Sequence, residues 1–152
     1  MITYRCAEIK DIEIITDLRI EVLRAANLFD DSVYMEDVRK NTLEHYKKAF
    51  EDNSNITYLA LDNNKIIACG SVSFYSVMPT YCNKSGKCAY LMNIYTKPEY
   101  RKQGIATAIL DYLVKKSVEY GAEKISLEAT AMGRPIYEKY GFKPMKNEME
   151  LL

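Results

Sequence analysis

The sequence predicts a mixed α/β domain, a sheet flanked by helices, and three observations carry the prediction. Runs rich in β-branched and aromatic residues alternate with segments whose apolar residues recur every three or four positions. The resulting order, β-α-α-β-β-β-α-β-α-β, suits a mixed sheet with helices packed on it. Residues 89–105 read as a strand entering a helix through Arg101-Lys102-Gln103-Gly104, a joint where glycine lets backbone N–H groups crowd round an anion. With 152 residues, 48% of them hydrophobic, the chain suits a single domain over 1–152.

Each element has its own signal. Ile2–Cys6 is expected as a first strand. Over Ile9–Ala25 the residues Ile12, Ile15, Leu18, Val22 and Leu23 mark one helix face. Asp30-Asp31-Ser32 is a polar break, in which Asp31 or Ser32 is suited to cap a second helix over Met35–Phe50. Asn53-Ser54-Asn55 closes that helix, and Ile56–Leu61 and Lys65–Val77 form a hairpin about Asp62-Asn63-Asn64. Pro79–Lys87 is a polar loop. Ala89–Thr96 suits a buried strand that Pro98 stops. Ile105, Ile109, Tyr112, Leu113 and Lys116 then give an amphipathic helix ending before Gly121. A strand at Lys124–Ala129, a short helix near Tyr137 and a last strand at Glu148–Leu151 complete the order.

Composition excludes several classes. The 21 basic and 21 acidic residues balance to a net charge of zero, so no general field draws nucleic acid, and no concentrated basic face appears. No stretch approaches the roughly 20 apolar residues of a membrane span, and the start Met-Ile-Thr-Tyr-Arg lacks an apolar signal region. A soluble, cytoplasmic protein is expected. The four cysteines include no C-x-x-C pair and have one histidine beside them, so free thiols and no metal site are expected. Cys82 and Cys88 are near enough to close a small loop, although nothing requires it. His45, within Glu44-His45-Tyr46-Lys47-Lys48, reads as the solvated part of a helix.

At the glycine joint the first-turn amides of the helix point back over the strand end. A diphosphate there gains charge-assisted hydrogen bonds and a helix-dipole term of roughly 0.3–1 kcal/mol per charge. Arg101 and Lys102 add cations. A nucleotide P-loop is a weak reading, because Gly104 is followed by Ile105 where that motif has lysine.

The segment Tyr95-Thr96-Lys97-Pro98-Glu99-Tyr100-Arg101-Lys102-Gln103-Gly104-Ile105-Ala106 resembles the acetyl-CoA pyrophosphate loop of the GCN5-related N-acetyltransferase (GNAT) family, with Arg101, Gly104 and Ala106 at the three constrained positions of R/Q-x-x-G-x-G/A. Met132–Phe142 resembles the family's closing helix and its Y-x-x-x-G-F ending at the family's separation, which extends the resemblance over nearly the whole chain. The resemblance implies a mostly antiparallel sheet with one splayed parallel strand pair, acetyl-CoA as cosubstrate, and a pantetheine arm lying on the main chain of Ile94, Tyr95 and Thr96. It further implies that Arg101, Lys102, Gln103, Gly104, Ile105, Ala106 and Thr107 surround the pyrophosphate, with Thr130 and Gly133 contributing from the opposing strand end. Thr130 and Gly133 depart from the asparagine and alanine common in relatives. A threonine hydroxyl is shorter and reaches its ligand through water.

The implied activity is acetyl transfer to a primary amine of a small molecule or a peptide N-terminus by direct attack. Tyr137 matches the tyrosine that in many relatives donates a hydrogen bond to the coenzyme sulfur. A phenol of pKa about 10 is a weaker acid than a thiol of about 8.5, so donation during C–S cleavage avoids an uphill step of roughly 2 kcal/mol. A lysine-like acceptor of pKa about 10.4 must give up its proton at a cost near 4.6 kcal/mol at pH 7. Relatives often carry a glutamate at the position of Met92, so the base is left among Glu128, Asp30, Asp31 and the C-terminal region. A non-catalytic acyl-CoA-binding regulatory module is the alternative that Met92 keeps open. For the acceptor, Asp31, Tyr34, Tyr81, Met92 and Asn93 are candidate contacts, with Met35 and Tyr75 as further aromatic or thioether walls and Arg134 as a contact for phosphate or carboxylate. The resemblance also admits a homodimer.

Overall fold

The computed structural model describes residues 1–152. Five strands form one sheet in the order β1 (Ile2–Cys6), β2 (Asn55–Asp62), β3 (Lys65–Ser76), β4 (Lys87–Thr96) and β5 (Lys124–Leu127). Neighbours run antiparallel except β4 and β5, which run parallel. Helices α1 (Ile12–Asn27) and α2 (Glu36–Glu51) cover one face, while α3 (Ile105–Tyr120) covers the other and α4 (Arg134–Tyr140) follows β5.

Period-two patterning divides the core. Val72 and Phe74 of β3 and Ala89 and Leu91 of β4 meet Ile105, Ile109, Leu110 and Leu113 of α3. On the opposite face Leu59, Leu61 and Cys69 meet Ile12, Ile15, Leu18 and Val22 of α1 and Tyr46 of α2. That second face is partly polar. Thr57 Oγ1 lies 2.7 Å from Ser71 Oγ and donates to Asn55 Oδ1 at 2.9 Å, and Tyr46 is buried on the same face. Arg5 of β1 pins the start of α1 through two bonds to the buried Asp11, at 2.7 and 3.0 Å.

Most expected elements are present within a residue or two, since helix ends fray and strand ends lose their partners. The β2–β3 hairpin turns on Asn63 and Asn64 with φ of 48° and 65°, the left-handed pair that a two-residue turn needs. Two expectations fail. Neither Asp31 nor Ser32 caps α2; Asp30 instead closes a local turn by accepting from the Ser32 amide and hydroxyl, and Met35 precedes the helix. The strand expected at Glu148–Leu151 is also absent, and the sheet ends at β5. Met149 and Leu151 are fully exposed, so pairing there would order a polar segment without burying enough apolar surface to offset the entropy. The segment touches the sheet through Lys124 and Glu148, 2.8 Å apart. No helix is long and apolar enough to cross a membrane.

Candidate functional site

The β4–β5 pair creates the opening. Pairing runs from Cys88 opposite Lys124 to Leu91 opposite Leu127 and then stops, while β4 continues to Thr96 with no β5 residue beside it. A bulge sits at the parting. Register with β3 slips between Cys69, opposite Tyr95, and Ser71, opposite Met92, and Asn93 takes a left-handed φ of 59°. Asparagine tolerates that conformation better than most side chains. The Asn93 carbonyl accepts from Cys69 Sγ at 3.2 Å, and its side-chain oxygen accepts from Arg19 Nη1 at 3.2 Å. Burial pushes the Cys69 thiol up to about 12, so it acts as a weak donor and not as a nucleophile.

Past the strand end, Pro98–Tyr100 make one 3₁₀ turn and the chain enters α3. Lys102 and Gly104 both have left-handed φ, 62° and 78°. From Gly104 to Thr107 no backbone N–H donates to another group of the chain, because the first helical bond runs from Ala108 to the Gly104 carbonyl. Nothing lies within 4 Å of where a Gly104 Cβ would stand, so the cradle is open in front. Unpaired donors fanned about two left-handed residues at a helix start form a nest that fits an anion. Arg101 departs from the simple picture of a cation at the mouth. Its Nε donates to the Thr96 carbonyl at 3.0 Å and its guanidinium lies 5.7 Å from the Tyr95 ring centre, so it ties the loop to β4. Lys102 and Gln103 are exposed, and Ile105 is buried as the anchor of the helix start. Thr96, buried, has a hydroxyl with no protein partner.

On the other side of the opening, Thr130 leads into α4. Its carbonyl accepts from Arg134 N at 2.9 Å and its hydroxyl accepts from Gly133 N at 3.2 Å, which leaves the hydroxyl hydrogen free to donate. Gly133 has a packing reason to lack a side chain. A Cβ there would stand 2.9 Å from Cε2 of Tyr137. The Tyr137 ring packs on the α3-side core and meets Phe142 edge-on at 6.2 Å. Burial raises the phenol above its ordinary value, and its hydroxyl has no protein partner. Tyr140 is a packing residue whose hydroxyl donates to Asp111 at 3.0 Å, and His45 is exposed on α2.

The acceptor candidates divide. Met92 and Asn93 lie half-buried on β4 at the parting. Asp31 and Tyr34 line a separate crevice of about 540 Å³ between α1 and α2, with Met35, Arg24 and Arg39. Tyr81, 91% exposed, projects from the loop before β4 and joins neither group, and Tyr75 is exposed at the end of β3. Arg134 is held by Glu138 at 2.6 Å. All four cysteines are free. Missed from sequence were Arg19 and Tyr90. Arg19 stands four residues after Ile15 and three before Val22, and a charged residue on an apolar helix stripe is the signal that would have found it.

Similar proteins give this geometry a family. A predicted acetyltransferase from Clostridium acetobutylicum, solved with acetyl-CoA, superposes with a TM-score of 0.92 at 35% identity, covering 100% of this chain and 96% of that one. An uncharacterized N-acetyltransferase of Escherichia coli K12, YafP, is 30% identical over 59 residues, 39% of this chain and 36% of its own length. Glucosamine 6-phosphate N-acetyltransferase 1 of Dictyostelium discoideum is 30% identical over 88 residues, 58% of this chain and 54% of its own. The chain thus spans between about a third and just over half of these two curated relatives. The model of the acetyltransferase (GNAT) family matches residues 20–142, so the chain belongs to the GNAT family, whose acetyl donor is acetyl-CoA.

Proposed function

We propose that this chain is an acetyl-CoA-dependent N-acetyltransferase that acetylates a primary amine, of a small molecule or a peptide N-terminus, by direct attack. The observation that carries the reading is the run of unpaired amides from Gly104 to Thr107 at the point where β4 outruns β5. Bound acetyl-CoA supplies the acetyl group as a thioester, whose C–S bond breaks as the amide C–N bond forms. The Gly104–Thr107 amides hold its diphosphate, with Lys102 and Gln103 at the rim. Backbone groups of Ile94, Tyr95 and Thr96 on the free edge of β4 hold the extended arm, and the Thr96 and Thr130 hydroxyls have hydrogens left to donate.

Tyr137 Oη donates its hydrogen to the departing sulfur. Burial keeps that phenol protonated through neutral pH, so the donor is always charged with its proton. The hydrogen it gives up is restored from the pool that takes the ammonium proton, with Glu128 as the carboxylate next to the parting. The whole unit is read as one domain over 1–152.

Purified protein is incubated with acetyl-CoA and an amine panel while free thiol is measured. Amine-dependent thiol release is the expected result. Micromolar coenzyme binding without turnover on any amine would overturn the catalytic reading in favour of a regulatory acyl-CoA module.

A further inference from the structure

We propose that Arg19 is the acceptor-recognition cation, and that the amine acetylated here carries an oxyanion, carboxylate or phosphate, which Arg19 grips while the amine lies towards Glu128. The inference rests on the acetyl-transfer reading and adds the class of acceptor.

Arg19 is half-buried on the stripe of α1 that also holds the buried Ile15, Leu18 and Val22. Its one hydrogen bond within the chain runs to the neutral oxygen of Asn93, and no carboxylate oxygen lies within ion-pair distance. Three of the other five arginines sit on carboxylates, while Arg24 and Arg101 donate to the main-chain carbonyls of Asp30 and Thr96. Arg5, Arg39 and Arg134 rest on carboxylates at 2.7, 2.8 and 2.6 Å. The acids near Arg19 are otherwise engaged. Glu13 and Asp17 hold Arg39, and Glu21 accepts from the Tyr95 hydroxyl at 3.3 Å. A guanidinium offers a fork of five donors, so a half-buried one satisfied by a single neutral oxygen has unspent capacity for a planar or tetrahedral oxyanion.

Position gives that capacity a use. Asn93, the partner, lies in the bulge at which β4 parts from β5, so Arg19 stands beside the opening where the acetyl group must be delivered. Tyr90 pairs opposite Ser126, and Glu128 follows directly after the last β5 residue, Leu127. Burial raises the Tyr90 phenol, Glu128 raises it further and Arg19 pulls it back, so one hydroxyl lies in the fields of both charges. A cation and an anion flanking one phenol match a molecule carrying an ammonium and an oxyanion. Glu128 is exposed and free to receive the ammonium, and the half-buried Met92 one residue before Asn93 adds no charge.

The test uses the whole protein, acetyl-CoA and matched acceptor pairs: glycine with glycinamide, β-alanine with its amide, γ-aminobutyrate with its amide, and O-phosphoethanolamine with ethanolamine. At least one anionic member is expected to exceed its neutral partner at least tenfold in kcat/KM, and the pair that does so identifies the oxyanion as carboxylate or phosphate. In Arg19→Gln that preference should collapse through KM, with kcat within about threefold and CoA affinity by calorimetry unchanged. Arg19→Lys should restore part of it. Neutral and anionic partners turning over equally, or Arg19→Gln lowering both alike, would overturn this inference alone. Coenzyme binding without turnover of any amine would overturn the transfer reading and the inference with it.

Discussion

On the α3 side of the sheet, β4 presents Ala89 and Leu91 to a dry layer of Ile105, Ile109, Leu110 and Leu113; on the α1–α2 side the same strand presents Tyr90 and Met92 to a layer that holds Arg19, Tyr46, Ser71 and Thr57. One strand therefore serves a hydrocarbon interior and a polar one, each face set by alternate residues. The difference extends to how ligands are met. At the end of the α3 side, unpaired peptide N–H groups from Gly104 to Thr107 form the cradle. On the other side the proposed acceptor recognition falls to side chains, Arg19, Asn93, Tyr90 and Glu128. A universal donor suits the first construction and a particular acceptor the second.

The sharpest way to test the division is Tyr137→Phe. It removes one hydroxyl and leaves both faces packed, so kcat should fall on the order of 100-fold while CoA affinity by calorimetry stays within about twofold. An equal loss in affinity would make Tyr137 a binding residue. Next is Gly104→Val, where the added side chain meets open space but the φ of 78° strains any β-branched residue by about 1–3 kcal/mol. CoA binding should weaken roughly tenfold, with the acceptor KM unchanged. If the acceptor KM moved as well, the two halves would not be separate.

A third prediction concerns the acceptor half alone. Arg5 hydrogen-bonds to Asp11 and holds its carboxyl below the ordinary carboxylate range, with the Glu8 amide adding to the effect. Because the folded value is the lower one, this stabilisation is complete above about pH 4–5 and disappears as pH falls through the folded value. Asp11→Asn should cost about 1–2 kcal/mol at pH 7, a drop of a few degrees in Tm, and wild type and variant should converge in acid. The smallest effect is expected from Lys102→Gly. It relieves a left-handed lysine and keeps every amide of the nest, so CoA affinity should change less than about threefold. A tenfold loss would mean that the lysine charge, and not the main chain, holds the phosphates.

Much of the coenzyme half was legible because it is local. A strand, a proline stop, a glycine and an amphipathic helix are neighbours in sequence, and the same holds for the Asn63-Asn64 turn and for Gly121, which ends α3 at a φ of 90°. Other features required partners distant in the chain. The slip at Asn93 arises from pairing with β3 that a single strand does not announce, and nothing in the residue type marks the left-handed backbone of Lys102. Arg19 reads as one more helix charge until α1 is laid against β4, 74 residues away in sequence. The last strand expected at Glu148–Leu151 does not form, because Met149 and Leu151 bury nothing. Asp31, Tyr34 and Tyr81 were grouped with Met92 as one acceptor wall, whereas the α1–α2 crevice and the loop before β4 keep them apart.

Peptide amides are the same in every residue type except proline, and a ligand gripped by them is blind to the chemistry hung on the chain. At Lys102, Gln103 and Thr107, all exposed beside the cradle, a randomised library without proline should therefore yield clones that mostly still capture CoA. Randomising Arg19, Tyr90 and Asn93 should instead scatter the clones among different amines. The donor end of this molecule is a fixed socket, and the acceptor end is where new catalysts would be selected.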